Sequence, residues 1–120
     1  MATAAEIERK LYDWAPKELA YEWDNVGLLV GDGAQEVRRV LVSLDITQAV
    51  ADEAVRLGAQ LIVAHHPVMN CTWHPVQTLR EDDAQGKLLR TLVREDISAI
   101  CMHTNLDIAD GGVNDKLAEK

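Results

Sequence analysis

The sequence has few basic residues and no long apolar run. Lysine and arginine together number 12 against 20 aspartates and glutamates, which gives a formal net charge of −8. A surface that binds nucleic acid normally carries a basic cluster, and the nearest feature here is the pair Arg38-Arg39. We therefore do not expect nucleic acid as a partner. A divalent cation fits better, because a metal balances neighbouring carboxylates.

Targeting segments and several catalytic motifs are also lacking. No apolar stretch approaches the ~20 residues of a membrane-spanning helix, and no basic, apolar leader opens the sequence. We therefore expect a cytoplasmic protein without a membrane partner. The phosphate-binding P-loop, the GxGxxG fingerprint and the GxSxG nucleophile elbow do not occur. Two cysteines, Cys71 and Cys101, are too few for a disulfide framework, so we expect inert, buried thiols.

Periodicity predicts one domain over residues 1–120, which is enough chain for a single core. Strands alternate with helices, and this order predicts an α/β fold with helices packed on a mostly parallel or mixed sheet. The second strand is nearly all apolar past Arg39, as expected of a strand buried on both faces. The sequence stops inside a helical pattern without a cap, as a truncated chain does. Predicted helices are 3–14, 47–57, 84–95 and 113–120; predicted strands are 26–31, 37–44, 61–64 and 97–102.

Histidines follow two of the predicted strands. His65 and His66 end the third strand, directly before Pro67, while His103 ends the fourth strand and Asp107 follows it. In open α/β sheets, ligands bind beyond the carboxyl ends of the strands. Imidazole and carboxylate together suit zinc, iron, manganese or nickel. A metal site and a set of ordinary polar surface residues both remain open from spacing alone.

Other polar positions are weaker candidates. His74 is typical of a polar surface residue, and Trp23-Asp24-Asn25 is typical of a turn with Asx hydrogen bonds. Asp45 ends the second strand, so it either points at the same edge of the sheet or begins the turn into the next helix.

With these residues placed, the sequence resembles the N-terminal part of the NIF-three-like family of dinuclear-metal proteins, often called GTP cyclohydrolase I type 2. The resemblance implies two divalent metals close together, with His65, His66 and Asp107 as ligands and His103 beside the site, where it contacts substrate or a ligand residue. The family adds a histidine and a glutamate from a chain about twice as long, and it assembles into hexameric rings. The matching stretches are WDNVGL at 23–28, VSLDIT at 42–47, AHHP at 64–67, HTNLD at 103–107 and GGVND at 111–115.

Two functions of different classes follow from this resemblance. The first is a metal-dependent hydrolase that acts on a nucleotide or another small molecule, GTP being the substrate that the family name suggests. The second is a metal-binding regulatory or scaffold protein without turnover. Basic groups near the metals would favour a phosphate-bearing substrate, whereas a rim of carboxylates would favour metal handling. A purely structural domain is the third alternative.

Overall fold

A four-stranded mixed sheet forms the centre of the computed structural model, which describes residues 1–71 and 75–118. The strands lie in the order β1-β4-β3-β2. The predicted α/β class is therefore confirmed; the end of the last predicted helix, residues 119–120, lies outside the described residues. The strands are β1 (Gly27–Val30), β2 (Val40–Ser43), β3 (Leu61–Ala64) and β4 (Ser98–Cys101), and the helices are α1 (Ala4–Trp14), α2 (Gln48–Leu57), α3 (Ala84–Arg94), α4 (Thr104–Ile108) and α5 (Val113–Ala118), with a 3-10 turn at Lys17–Leu19.

Strand direction places the site. β2, β3 and β4 are parallel, joined by crossovers through α2 and α3, whereas β1 is antiparallel to β4. In the register, Ala64 at the end of β3 lies beside Cys101 at the end of β4. Two parallel strands that end side by side bring the residues after them to the same edge of the sheet.

The helices begin and end where the sequence places their caps. Thr3 and Glu6 form a capping box at the start of α1, and the Thr47 hydroxyl accepts a hydrogen bond from the Val50 N–H at the start of α2. Gly58 ends α2 with a φ of +68°, a left-handed conformation that glycine adopts without steric cost.

The sheet has a different cover on each face. On one face, α2 and α3 pack on alternate strand residues to form the larger core, which includes Ala54, Ile62, Leu92 and Cys101. On the other face, a smaller cluster joins Leu61, Ile100 and Met102 to Ala4 and Val37, with Ile7 and Leu11 of α1 packed against it. No described helix is long and apolar enough to cross a membrane.

The prediction that the second strand is buried on both faces is wrong. β2 begins only at Val40, and Val42 is 74% exposed. β2 is an edge strand with β3 as its one described neighbour, and α1 packs against β1 at the opposite edge. No described element therefore packs over the exposed face of β2.

Candidate metal centre

Three histidines converge beyond the ends of β3 and β4. The backbone N–H of His66 donates to the Leu44 carbonyl at 3.0 Å, so the chain is still anchored to its neighbour as β3 ends. The ring centroids of His65 and His66 lie 5.2 Å apart, and the His103 ring lies 5.1 Å and 5.4 Å from them. One ring nitrogen from each of the three falls within 4.8 Å of the others.

Each of these rings is held by an oxygen atom at Nδ1. The acceptor is the Met102 carbonyl at 2.7 Å for His65, an Asp45 oxygen at 2.5 Å for His66, and an Asp24 oxygen at 3.1 Å for His103. A carbonyl or an ionised carboxylate can only accept, so Nδ1 is the donor in each contact, and in a neutral imidazole of this orientation Nε2 is the nitrogen with the lone pair. This is how metal-binding histidines are oriented in proteins.

Asp107 lies on α4 and approaches the cluster from one side. Its Oδ1 is 3.3 Å from Nε2 of His65. When His65 is neutral and its Nδ1 donates to the carbonyl, Nε2 and the Asp107 oxygen are two acceptors that face each other, an arrangement that a cation between them stabilises. The donor set of imidazole and carboxylate therefore fits a divalent metal. That His65, His66 and Asp107 are the ligands remains a prediction.

The Asp24 side chain is fully buried beside His103. One carboxylate oxygen accepts from the backbone N–H of Thr104 at 3.0 Å and from its hydroxyl at 2.6 Å. The other accepts from the N–H of Asn25 at 2.9 Å and from His103. Burial raises the pKa of Asp24, but the hydrogen bonds from Thr104, His103 and Asn25 outweigh it, so the net pKa is lowered. Asp24 is therefore ionised at neutral pH.

Sequence reasoning did not assign either of the two carboxylates that orient the histidines. Asp24 was interpreted as a turn residue, yet its bonds to His103 and Thr104 span about 80 residues of sequence. Asp45 was left undecided, and it contacts His66. The available signal was that both aspartates lie in stretches that carry the family resemblance. His74 lies outside the described residues.

A family model described as Duf34/NIF3 (NGG1p interacting factor 3) matches residues 2–120. The chain belongs to the Duf34/NIF3 family. Within it, curated relatives include proteins named GTP cyclohydrolase 1 type 2 homolog from Halalkalibacterium halodurans, 44% identical over 88% of this chain, and from Streptomyces coelicolor, 45% identical over 98%.

The fold of this chain is similar to that of a solved structure related to NIF3. A Bacillus cereus protein related to NIF3 superposes with a TM-score of 0.88 and 43% identity, covering 98% of this chain and 31% of its own. The chain spans 28% and 40% of the lengths of the two curated relatives.

Proposed function

We propose that this chain carries part of the metal site of a divalent-metal-dependent hydrolase, with His65, His66 and Asp107 as protein ligands. The supporting observation is that Nδ1 of each of the three imidazoles lies within hydrogen-bond distance of a fixed oxygen, which is how metal-binding histidines are oriented in proteins. A bound divalent metal would lower the pKa of a coordinated water and stabilise charge on a substrate oxygen. The chain's own residues orient the rings, and His103 faces the same space to contact substrate or move a proton.

The complete site is proposed to draw on residues outside this chain. Three protein ligands do not fill the coordination of two metals, and the curated relatives continue well beyond the length matched here. By the family resemblance, a histidine and a glutamate from that further region complete the pair, and the protein forms a homo-oligomer, a hexameric ring in the family.

A nucleotide substrate such as GTP is the narrower proposal, taken from the names of the curated relatives. The two clefts bordered by His65 and His66 have volumes of about 310 Å³ and 350 Å³, and neither is lined by a described lysine or arginine. The phosphates of a nucleotide would therefore have to bind through metal or through residues outside this region.

The carboxylates around the three histidines favour a second candidate function, that of a metal-binding protein without turnover. Asp24, Asp45 and Asp107 each contact one of the histidines. A carboxylate-rich, cation-poor rim suits metal capture and transfer better than it suits a polyphosphate. Metal binding is common to both functions, so turnover separates them.

Equilibrium dialysis against Zn²⁺, Mn²⁺, Fe²⁺ or Ni²⁺, followed by metal analysis of the chain, tests the ligands. Asp107→Ala should lower bound metal at least tenfold, because one carboxylate ligand is lost, whereas Asp110→Ala, an exposed aspartate three residues away, should not change it. Equal loss in both variants, or binding that survives Asp107→Ala and His65→Ala alike, contradicts the assignment.

Turnover is measured on the longer natural protein loaded with the metal that binds best. Release of product from GTP, followed by chromatography, should fall with Asp107→Ala in proportion to lost metal. Stoichiometric metal binding without turnover of GTP or of simpler phosphate and amide substrates would favour the second candidate.

A further inference from the structure

Cys71 lies beside the buried carboxylate of Asp24, in the segment that follows β3. Asn25 Nδ2 donates to the Met69 carbonyl at 3.0 Å, which ties this segment to the turn that carries Asp24. Asn70 has a φ of +52°, a left-handed conformation that asparagine adopts more readily than most residues. The chain therefore turns just before Cys71, and the thiol is buried at the turn.

Three side chains of different chemistry meet here. Sγ of Cys71 lies 3.6 Å from Oδ1 of Asp24, and Nδ1 of His103 lies 3.1 Å from the same oxygen. One ligand atom from each of the three residues lies within 4.8 Å of the others. Two ligand atoms on one tetrahedral zinc, with bonds of ~2.0–2.3 Å, are about 3.3–3.7 Å apart. The spacing is therefore close to that of ligands around a single ion.

The charges of this group also fit a divalent cation. The Asp24 side chain is fully buried, and none of the residues that donate to it is a lysine or arginine: Asn25, Cys71, His103 and Thr104. A divalent cation bound by one carboxylate, one thiolate and one neutral imidazole forms a complex of zero net charge. Such a complex is the least costly one to bury.

We propose that Asp24, Cys71 and His103 form a second metal site, the Cys71 site, which takes a thiophilic divalent metal such as Zn²⁺. The thiolate supplies a soft ligand that the neighbouring site around Asp107 lacks. On binding, the thiol proton leaves to solvent, since only the thiolate binds a metal. The cation then takes the place of the hydrogen atoms that Cys71 and His103 direct at the carboxylate. This assignment depends neither on turnover nor on Asp107.

Co²⁺ is the probe, because a thiolate ligand gives cobalt a charge-transfer absorption in the near ultraviolet that imidazole and carboxylate ligands do not give. The reduced, metal-free chain, titrated with Co²⁺ without oxygen, should develop this absorption, and added Zn²⁺ should remove it by displacing the cobalt. A wild-type chain without the absorption overturns the proposal, so the test stands even if a substitution at position 71 prevents folding.

Cys71→Ser should abolish the cobalt–thiolate absorption, because it removes the only sulfur of the Cys71 site. Cys101→Ser is the matched control, since it changes the other buried cysteine, and it should keep the absorption. A folded Cys71→Ser chain that retains the absorption, or a folded Cys101→Ser chain that loses it, contradicts the assignment.

Mn²⁺, which prefers oxygen ligands to thiolate, reports the neighbouring site in the same variants. Cys71→Ser should leave bound Mn²⁺ unchanged and weaken Zn²⁺ binding at the Cys71 site tenfold or more, and Zn²⁺ dialysis of this variant then measures the neighbouring site alone. Asp107→Ala should lower bound Mn²⁺ and keep the cobalt–thiolate absorption. Loss of that absorption in Asp107→Ala would overturn the second site and leave the proposed ligands standing. Mn²⁺ binding that ignores Asp107→Ala would defeat the proposed function alone.

Discussion

At the scale of single residues, Asn105 ties the backbone of His103 to the end of the first helix. Asn105 is fully buried, its Nδ2 donates to the Ala15 carbonyl at 2.8 Å, and its Oδ1 accepts from the His103 N–H. One side chain therefore satisfies two backbone groups that are far apart in sequence, and it fixes where the turn carrying His103 begins.

Asn105→Ala should lower the free energy of unfolding by about 3 kcal/mol, because it leaves a buried N–H and a buried carbonyl without partners. Urea denaturation checks this. Asn114→Ala, at an exposed position, should change the same quantity by less than about 0.5 kcal/mol. Equal effects of the two substitutions would contradict the role given to Asn105.

Cys101 should resist alkylation in the folded chain. The residue is fully buried, and burial raises the pKa of its thiol to about 12. At pH 8 only about one thiol in 10⁴ is then the reactive thiolate. Mass spectrometry of the tryptic peptide 95–116 after iodoacetamide treatment should find Cys101 unmodified in the native chain and modified in urea. Rapid native labelling would show that this part of the core opens readily.

At the scale of elements, α1 depends on the capping box at its N-terminus. The Thr3 hydroxyl accepts from the Glu6 N–H at 3.2 Å, and a Glu6 carboxylate oxygen accepts from the Thr3 N–H. The backbone and side-chain hydrogen bonds of Thr3 lower the pKa of Glu6 below its usual 4.5, so the box favours the ionised carboxylate.

Thr3→Ala should lower the free energy of unfolding by about 1 kcal/mol at neutral pH, the usual effect of losing a helix cap. A carboxylate with a lowered pKa stabilises the fold above pH 4.5 and loses that effect as the pH falls through its folded value. The difference in the free energy of unfolding between wild type and variant should therefore become smaller at acid pH, as checked by urea denaturation at several pH values. A difference that becomes larger at acid pH would contradict the role given to the capping box.

The helices and strands were largely predictable from the sequence, whereas the contacts between them were not. Thr3, Thr47 and Gly58 are local signals, and the helices they delimit agree with the structure. α4 was missed because five residues are too few for a helical period to show. The burial of β2 and the partners of Asp24 depend on which elements become neighbours, and no local pattern encodes that.

At the scale of the whole molecule, the sheet is less well covered at its β2 edge than elsewhere. Val40, Val42 and Leu44 alternate along one face of the edge strand and are 44%, 74% and 62% exposed. Next to them lies the apolar cleft lined by Leu11, Trp14 and Met102. An apolar surface of this kind on an edge strand favours contact with another chain.

We expect this chain on its own to self-associate through that surface. Sedimentation velocity should give a weight-average mass that increases with protein concentration. Val42→Lys should make this increase smaller, because it places a charge on the edge strand. Val93→Lys changes a valine of similar exposure, 66%, on α3 and should leave association unchanged. A monomer at all concentrations, with the stability of an intact domain, would contradict this expectation.

The pairing of β1 with β4 has a consequence for synthesis on the ribosome. The chain emerges from its N-terminus, yet β1 can pair with β4 only after roughly 70 further residues have been made, and Asp24 can contact Thr104 only after roughly 80. Until then the Asp24 carboxylate lacks its buried partners and His65 lacks Asp107. Contacts this distant in sequence form late, so translation has to pass Asp107 before a nascent chain can bring the proposed ligands His65, His66 and Asp107 together.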